Sequence, residues 1–300
     1  MDRRAWKEAA REDVALAKDN SVLVTQVYLI LTLSLVVLNF CAALLLRRFG
    51  PSGSYLSDTI SAGGRNYLIQ WLFNLLRGFG QILLTAGYTA FILRLIRREA
   101  PGLDALWAGL RRPGRVIWLN ILQGIFITLW IMLFFFLLGL IYAPISAYFL
   151  NDTISSAGSD PEAIRQAMLS PLFLAAIAVY IIALVAMVVF ITYRYFAAYF
   201  LLMEYPQLTA RQALKLSVTI TKGHKWKLFV LDLSFLPWIL LSYLTLGILL
   251  IWKLPYMQAT RARAYRAMMD DYGQRRNDLR AYWDSMWVKE PAQGPDQDTE

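Results

Sequence analysis

Apolar side chains fall in long, nearly unbroken blocks along this chain, and polar ones fill the gaps. The blocks run roughly 22–46, 69–96, 116–142, 172–203 and 228–252. Each matches the ~20 residues that a helix needs to cross ~30 Å of hydrocarbon. The pattern predicts an all-α fold, a polytopic transmembrane helical bundle.

The gaps carry their own signals. In residues 1–21, Trp6, Ala10, Val14 and Ala17 recur at helical spacing, with Arg3, Arg4, Lys7, Arg11 and Lys18 elsewhere. This is an amphipathic helix that either lies on a membrane surface or leans on the bundle. The stretch PSGSYLSDTISAGG has no helical periodicity and reads as a polar loop, with a plain turn at Ala62-Gly-Gly. After the Pro101-Gly102 break, Leu103, Leu106, Trp107 and Leu110 share one face ahead of Arg111, Arg112 and Arg115, the pattern of a small interfacial helix. Pro144 softens the end of the third span, and Asp160-Pro161 signals a helix start in a polar loop. Thr209-Ala-Arg-Gln212 forms a capping box that opens a helix to about Lys222.

The last apolar block has basic residues on both flanks: Lys222, Lys225 and Lys227 before it, Arg261, Arg263 and Arg266 after. Basic clusters prefer one side of a membrane. With Thr245-Leu-Gly247 as a turn near its middle, the block predicts a short hairpin, 226–244 going in and 247–270 coming back. That makes about six membrane-embedded helices in a transmembrane domain over 22–270. Beyond it, Leu279, Tyr282, Trp283, Met286 and Trp287 line one face of an interfacial helix over 271–290, covered by the headgroup layer or by the protein's own surface. Residues 291–300 are Pro, Gln, Gly and acids, a disordered tail.

Composition agrees: 58% of the residues are hydrophobic and 17% charged, against ~45–50% and ~25% in globular proteins. The net charge is +9. In this class it points to anionic lipid at cytoplasmic loops rather than to nucleic acid. Lys and Arg number five, six and five in the N-terminal segment, the second loop and the fourth loop, and three and one in the first and third loops. The sixteen-to-four asymmetry puts both termini in the cytoplasm. No cleavable signal peptide is expected, because residues 1–20 mix five basic with five acidic side chains.

A single cysteine, Cys41, and a single histidine, His224, exclude a disulfide framework and make a His-rich zinc site arithmetically hard. His224 sits among lysines and reads as a headgroup contact or a solvated side chain. HExxH, GxSxG and phosphate-cradling loops are absent from the sequence. Neither an enzyme nor a cofactor is expected.

The candidates that remain are ionisable residues inside the spans, each costing ~2.5–3.5 kcal/mol at a bilayer centre. They are Arg77, Arg194, Asp232 and Lys253, with Arg261 level with Asp232 across the hairpin. At ~1.5 Å per residue, Arg194 lies ~14 Å and Asp232 ~7 Å from the same membrane face. Asp232 with Arg194 or Arg261 forms either a polar site or an ion pair that fixes helix register. Asn39, Asn74, Gln81, Asn120 and Gln123 are expected to hydrogen-bond between helices.

Residues 203–265 carry a denser pattern: Glu204 and Pro206, Ser217, the knot Lys222-Gly223-x-Lys225-Trp226, Leu233-Ser234-Phe235 with Trp238, Leu244-Thr245 with Gly247, then Pro255, Tyr256 and Thr260. This pattern resembles the signature of the bacterial integral-membrane family known as domain of unknown function 975. The tip departs from it at Pro237, Ile248, Leu249 and Lys253. More distantly, the layout is similar to membrane domains fused to glycerophosphodiesterases. The resemblance implies a multi-pass protein of the bacterial cytoplasmic membrane and no particular activity. Two readings follow: a non-enzymatic structural, regulatory or accessory protein of an envelope complex, and a small transporter or lipid-handling protein using the hairpin and its charges.

Overall fold

The structure, a computed structural model, describes residues 3–49, 56–99, 101–157, 162, 165 and 169–287. The secondary structure among the described residues is helical. In chain order the helices are α1 (Arg3–Leu16), α2 (Lys18–Phe49), α3 (Leu56–Ile96), a 3₁₀ turn (Leu103–Trp107) continued by α4 (Ala108–Arg111), and α5 (Pro113–Ala157). There follow α6 (Pro171–Arg194), α7 (Ala198–Glu204), α8 (Ala210–Ile220), α9 (Lys225–Leu233), α10 (Leu236–Leu244) and α11 (Leu250–Trp287).

Among the described residues, five stretches are long and apolar enough to cross a membrane: Lys18–Leu45, Leu68–Ile96, Pro113–Pro144, Ile177–Glu204 and Lys225–Leu244. The returning arm after Gly247 is helical but is not among them. Lys253, Arg261, Arg263 and Arg266 give it more charge than a crossing segment carries.

Helices run further than the polar residues suggested. The expected loop at 51–64 is helical from Leu56 onward, through Gly63 and Gly64. Pro144 lies inside α5, which continues to Ala157. Once a helix is nucleated, each added residue gains a hydrogen bond, and this outweighs ~1 kcal/mol for a glycine. Likewise α11 joins the returning arm and the start of the expected interfacial helix into one rod. The side chains of the face from Leu279 to Trp287, the Asp160-Pro161 start and the tail 291–300 lie outside the described residues.

Elsewhere a long span is broken. The fourth splits at 195–197, between α6 and α7, freeing the carbonyl of Arg194. The hydroxyls of Ser217 on α8 and of Thr221, which caps its C-terminus, both donate to it at 3.3 Å, and Ser217 Oγ accepts from the amide of Ala197 at 3.2 Å. Helix α8 is itself held in place by the capping box, Thr209 N donating to Gln212 Oε1 at 2.9 Å and Gln212 N to Thr209 Oγ1 at 3.4 Å. The α10–α11 turn is a Schellman motif, with Gly247 N bonded to Ser242 O at 2.7 Å and Leu246 N to Tyr243 O at 3.3 Å. Leu246 and Gly247 both take positive φ there, 50° and 86°.

The core sits at one end of the bundle. Phe91, Ile92, Leu95, Leu106, Leu119, Leu201, Ile220 and Tyr265 are fully enclosed. Toward the other end the long helices expose Leu33, Phe40, Phe136, Val179 and Ile182. An apolar surface of that extent suits hydrocarbon better than water. Helix α1 packs chiefly on α11. Its Trp6 joins Tyr193, Leu228, Leu231, Phe235 and Met268 in a second buried cluster.

Candidate functional site

The hairpin turn brings Asp232 on α9 level with Arg261 on α11, the two standing nearly equidistant from Leu246. Arg261 Nε donates to Asp232 Oδ1 at 2.9 Å, and Tyr193 OH donates to Oδ2 at 2.8 Å. Both carboxylate oxygens are therefore occupied. Successive helical residues project about 100° apart, and it is Tyr193, not Arg194, that reaches the carboxylate.

The other candidate cations lie apart from this group. Arg194 stacks over Trp130 at 5.5 Å from the ring centroid, with its Nε buried and unpartnered. Lys253 lies 4.1 Å over Trp238 in the hairpin. Arg77 is exposed beside Asn39 and Phe73. The amides divide similarly. Asn39 donates to Asn74 at 3.2 Å and Gln81 to Tyr28 OH at 3.4 Å, both between helices. Asn120 donates to Val116 O within its own helix and also hydrogen-bonds with Tyr199 on α7, while Gln123 Oε1 is buried without a partner.

Three further features stand at the core-bearing end. Glu204, the first residue of the family-like pattern, has a side chain only 10% exposed and gathers Arg97, Arg266 and Tyr265. Tyr265 OH donates to its Oε2 at 2.6 Å, and Arg266 Nη2 donates to Oε1 at 3.1 Å. The hydrogen bond to Glu204 holds Arg97 above its ordinary pKa, against the opposing pull of burial. Asp13 on α1 is fully buried and receives both Nε and Nη2 of Arg263, at 2.7 and 2.6 Å. Arg98 stands 3.7 Å from it. A signal was available for Asp13: a carboxylate one turn beyond Ala10, beside the apolar stripe of α1. Glu204 offers only its place at the end of an apolar run.

His224 departs from its expected place as a headgroup contact or a solvated side chain. It is buried, with Nε2 3.3 Å from Asp271 Oδ2 on α11 and Nδ1 unpartnered. Trp226 beside it is exposed, Lys222 is exposed, and Gly223 makes the turn with φ 86°. Lys225 lies over the Phe190 ring. On α1, partial burial and then Arg11 and Arg3 lower the pKa of Lys7. Within the hairpin, Ser234 Oγ donates to Leu231 O and Thr245 Oγ1 to Leu241 O, while buried Pro255 sits inside α11 next to Tyr256, whose ring meets Phe235 edge-on.

The third feature is a cavity of about 410 Å³ between the end of α3, the small helix α4, the start of α5 and the end of α7. Arg94, Arg97, Arg111, Arg112 and Arg115 line it, together with Glu99 and Glu204. Arg112 donates to Pro206 O at 3.3 Å, and Arg115 donates to the carbonyls of Pro206 and Leu208. Pro206 therefore ends α7 and also fixes two guanidiniums with its carbonyl.

No curated protein and no solved structure matches the chain. The match that exists begins at residue 1 and extends well upstream of the 203–265 pattern, taking in α1 with Asp13, the arginines of the cavity and the Glu204 group. Over residues 1–271 the chain matches the family described as "Protein of unknown function (DUF975)", and it belongs to that family.

Proposed function

We propose that this chain is a non-enzymatic, multi-pass protein of the bacterial cytoplasmic membrane, structural or accessory to an envelope complex. Both termini are cytoplasmic, and α9–α10 with the start of α11 form a hairpin that enters the bilayer and returns. The asymmetry of Lys and Arg supports this orientation. The Asp13–Arg263 pair supports it too, because it joins the first and last helices at one end of the bundle.

One observation carries the non-enzymatic reading. Asp13, Glu204 and Asp232 are each held by at least one guanidinium, and the last two also by a tyrosine hydroxyl. A general acid or base needs a free proton site and a pKa poised for transfer. These carboxylates instead bind helices together. The lipid-handling alternative draws support from the arginine-lined cavity, which lies at the ends of α3 and α7 rather than between the fourth span and the hairpin.

Isolation from native membranes in mild detergent tests the proposal. A protein retained in stoichiometric amount supports the accessory role. A chain that comes away alone and then moves lipid or solute across sealed proteoliposomes overturns it.

A further inference from the structure

The cavity at the ends of α3, α5 and α7 has more positive charge than its own carboxylates can balance. Five arginines line it. Arg97 is engaged by Glu204, and Arg94 Nη1 meets Asp104, outside the lining, at 3.0 Å. Glu99 stands 3.9 Å from Arg97. Even with Asp104 counted, five cations face three carboxylates. Arg111, Arg112 and Arg115 make no ion pair among the described residues. The carbonyls of Pro206 and Leu208 orient Arg112 and Arg115 but carry no net charge to cancel theirs.

An oriented, uncancelled guanidinium cluster is suited to an oxyanion that accepts several N–H bonds at once. The volume falls in the range of small-ligand sites. Its position narrows the ligand further. Three apolar stretches change character at this level: Leu68–Ile96 and Ile177–Glu204 end there, and Pro113–Pro144 begins there. Deeper in, the wall is Ala90, Leu93, Val116 and Leu202. Cations at the rim over an apolar wall match the build of an anionic amphiphile.

We propose that this cavity binds a phosphate-bearing anion, held by Arg111, Arg112 and Arg115. A phospholipid headgroup and a free phosphate share that chemistry. The headgroup assignment rests on the membrane placement proposed above, whereas the anion site does not.

The full chain purified in neutral detergent tests it, by calorimetric titration with short-chain phosphatidic acid, short-chain phosphatidylcholine or inorganic phosphate. The informative variant is R111Q/R112Q, since both side chains are exposed. The charge-matched control is K222Q/K227Q, two exposed lysines away from the lining. An interfacial arginine contributes about fivefold to anion affinity, so the double variant should bind phosphatidic acid about thirtyfold more weakly. Its unliganded melting temperature should match wild type, and the control should bind as wild type does. Binding of phosphatidic acid alone identifies a headgroup site. Binding of inorganic phosphate as well identifies a site open to free phosphate. Either supports the proposal. Equal affinity for phosphatidylcholine, an undiminished R111Q/R112Q, or an equal loss in the lysine control overturns it. Because the titration is in detergent, its failure leaves the proposed topology standing, and a failed topology leaves the anion site standing.

Discussion

Gly87 on α3 and Gly109 on α4 face each other so closely that neither has room for a side chain. A Cβ on Gly87 would overlap the carbonyl oxygen of Leu106, and one on Gly109 would overlap that of Leu83 and meet Gly87 N at 3.0 Å. The obstacles are backbone, which cannot swing aside as a flexible side chain can. This contact seats the small helix that carries Arg111 and Arg112 on the end of α3.

Gly87→Ala should therefore destabilise the protein by ~1–3 kcal/mol, the usual range for overpacking a closed contact. Gly114→Ala, where a Cβ meets nothing within 4 Å, should have little effect. Thermal unfolding in detergent checks both. Equal melting temperatures for the two variants would show that α4 does not dock this way.

Asp232 should couple energetically to Arg261 and not to Arg194. Pairs within one network show interaction energies of ~0.5–3 kcal/mol in double-mutant cycles. Asp232→Ala combined with Arg261→Ala should recover part of the single-variant losses, whereas Asp232→Ala with Arg194→Ala should be additive. A reversed pattern would place the hairpin in another register.

Asp13→Asn should cost more than any substitution of an exposed acid such as Glu12, because it leaves Arg263 without its carboxylate. Breaking a buried pair by removing one partner costs ~3–5 kcal/mol. The exposed Arg98–Glu12 contact at 3.8 Å is worth ~0–1 kcal/mol. Chemical denaturation of the two variants measures the difference, and similar midpoints would contradict the buried placement of Asp13.

Reporter fusions after residue 222 and after residue 270 should both report from the cytoplasm. If the second reports from outside, the chain crosses a fifth time and the hairpin does not return.

The register of the hairpin could be read from sequence because it depends on local features. A turn at Thr245-Leu-Gly247 fixes which residues meet across it, and Asp232 and Arg261 follow. The partner of Asp232 on the fourth span was harder to read, since one residue of helical rotation separates Tyr193 from Arg194. Asp13 and Glu204 gave weaker signals still. Their partners lie just past the end of α3 and on α11, and which helices converge depends on packing across the whole chain. The Gly87–Gly109 contact has no sequence signature, because glycines in apolar helices are common. The helical run from Leu56 has no signal in the sequence, because a Gly- and Ser-rich stretch has poor helix propensity, and cooperative extension from an adjacent long helix overrides it.

The clasp between α1 and α11 bears on biogenesis. The ribosome makes Asp13 well before Arg263, and the 250 positions that separate them must be synthesised before the pair can form. Until then α1 waits with the Asp13 carboxylate unpaired with Arg263, and a chain that stalls before Arg263 never makes that pair.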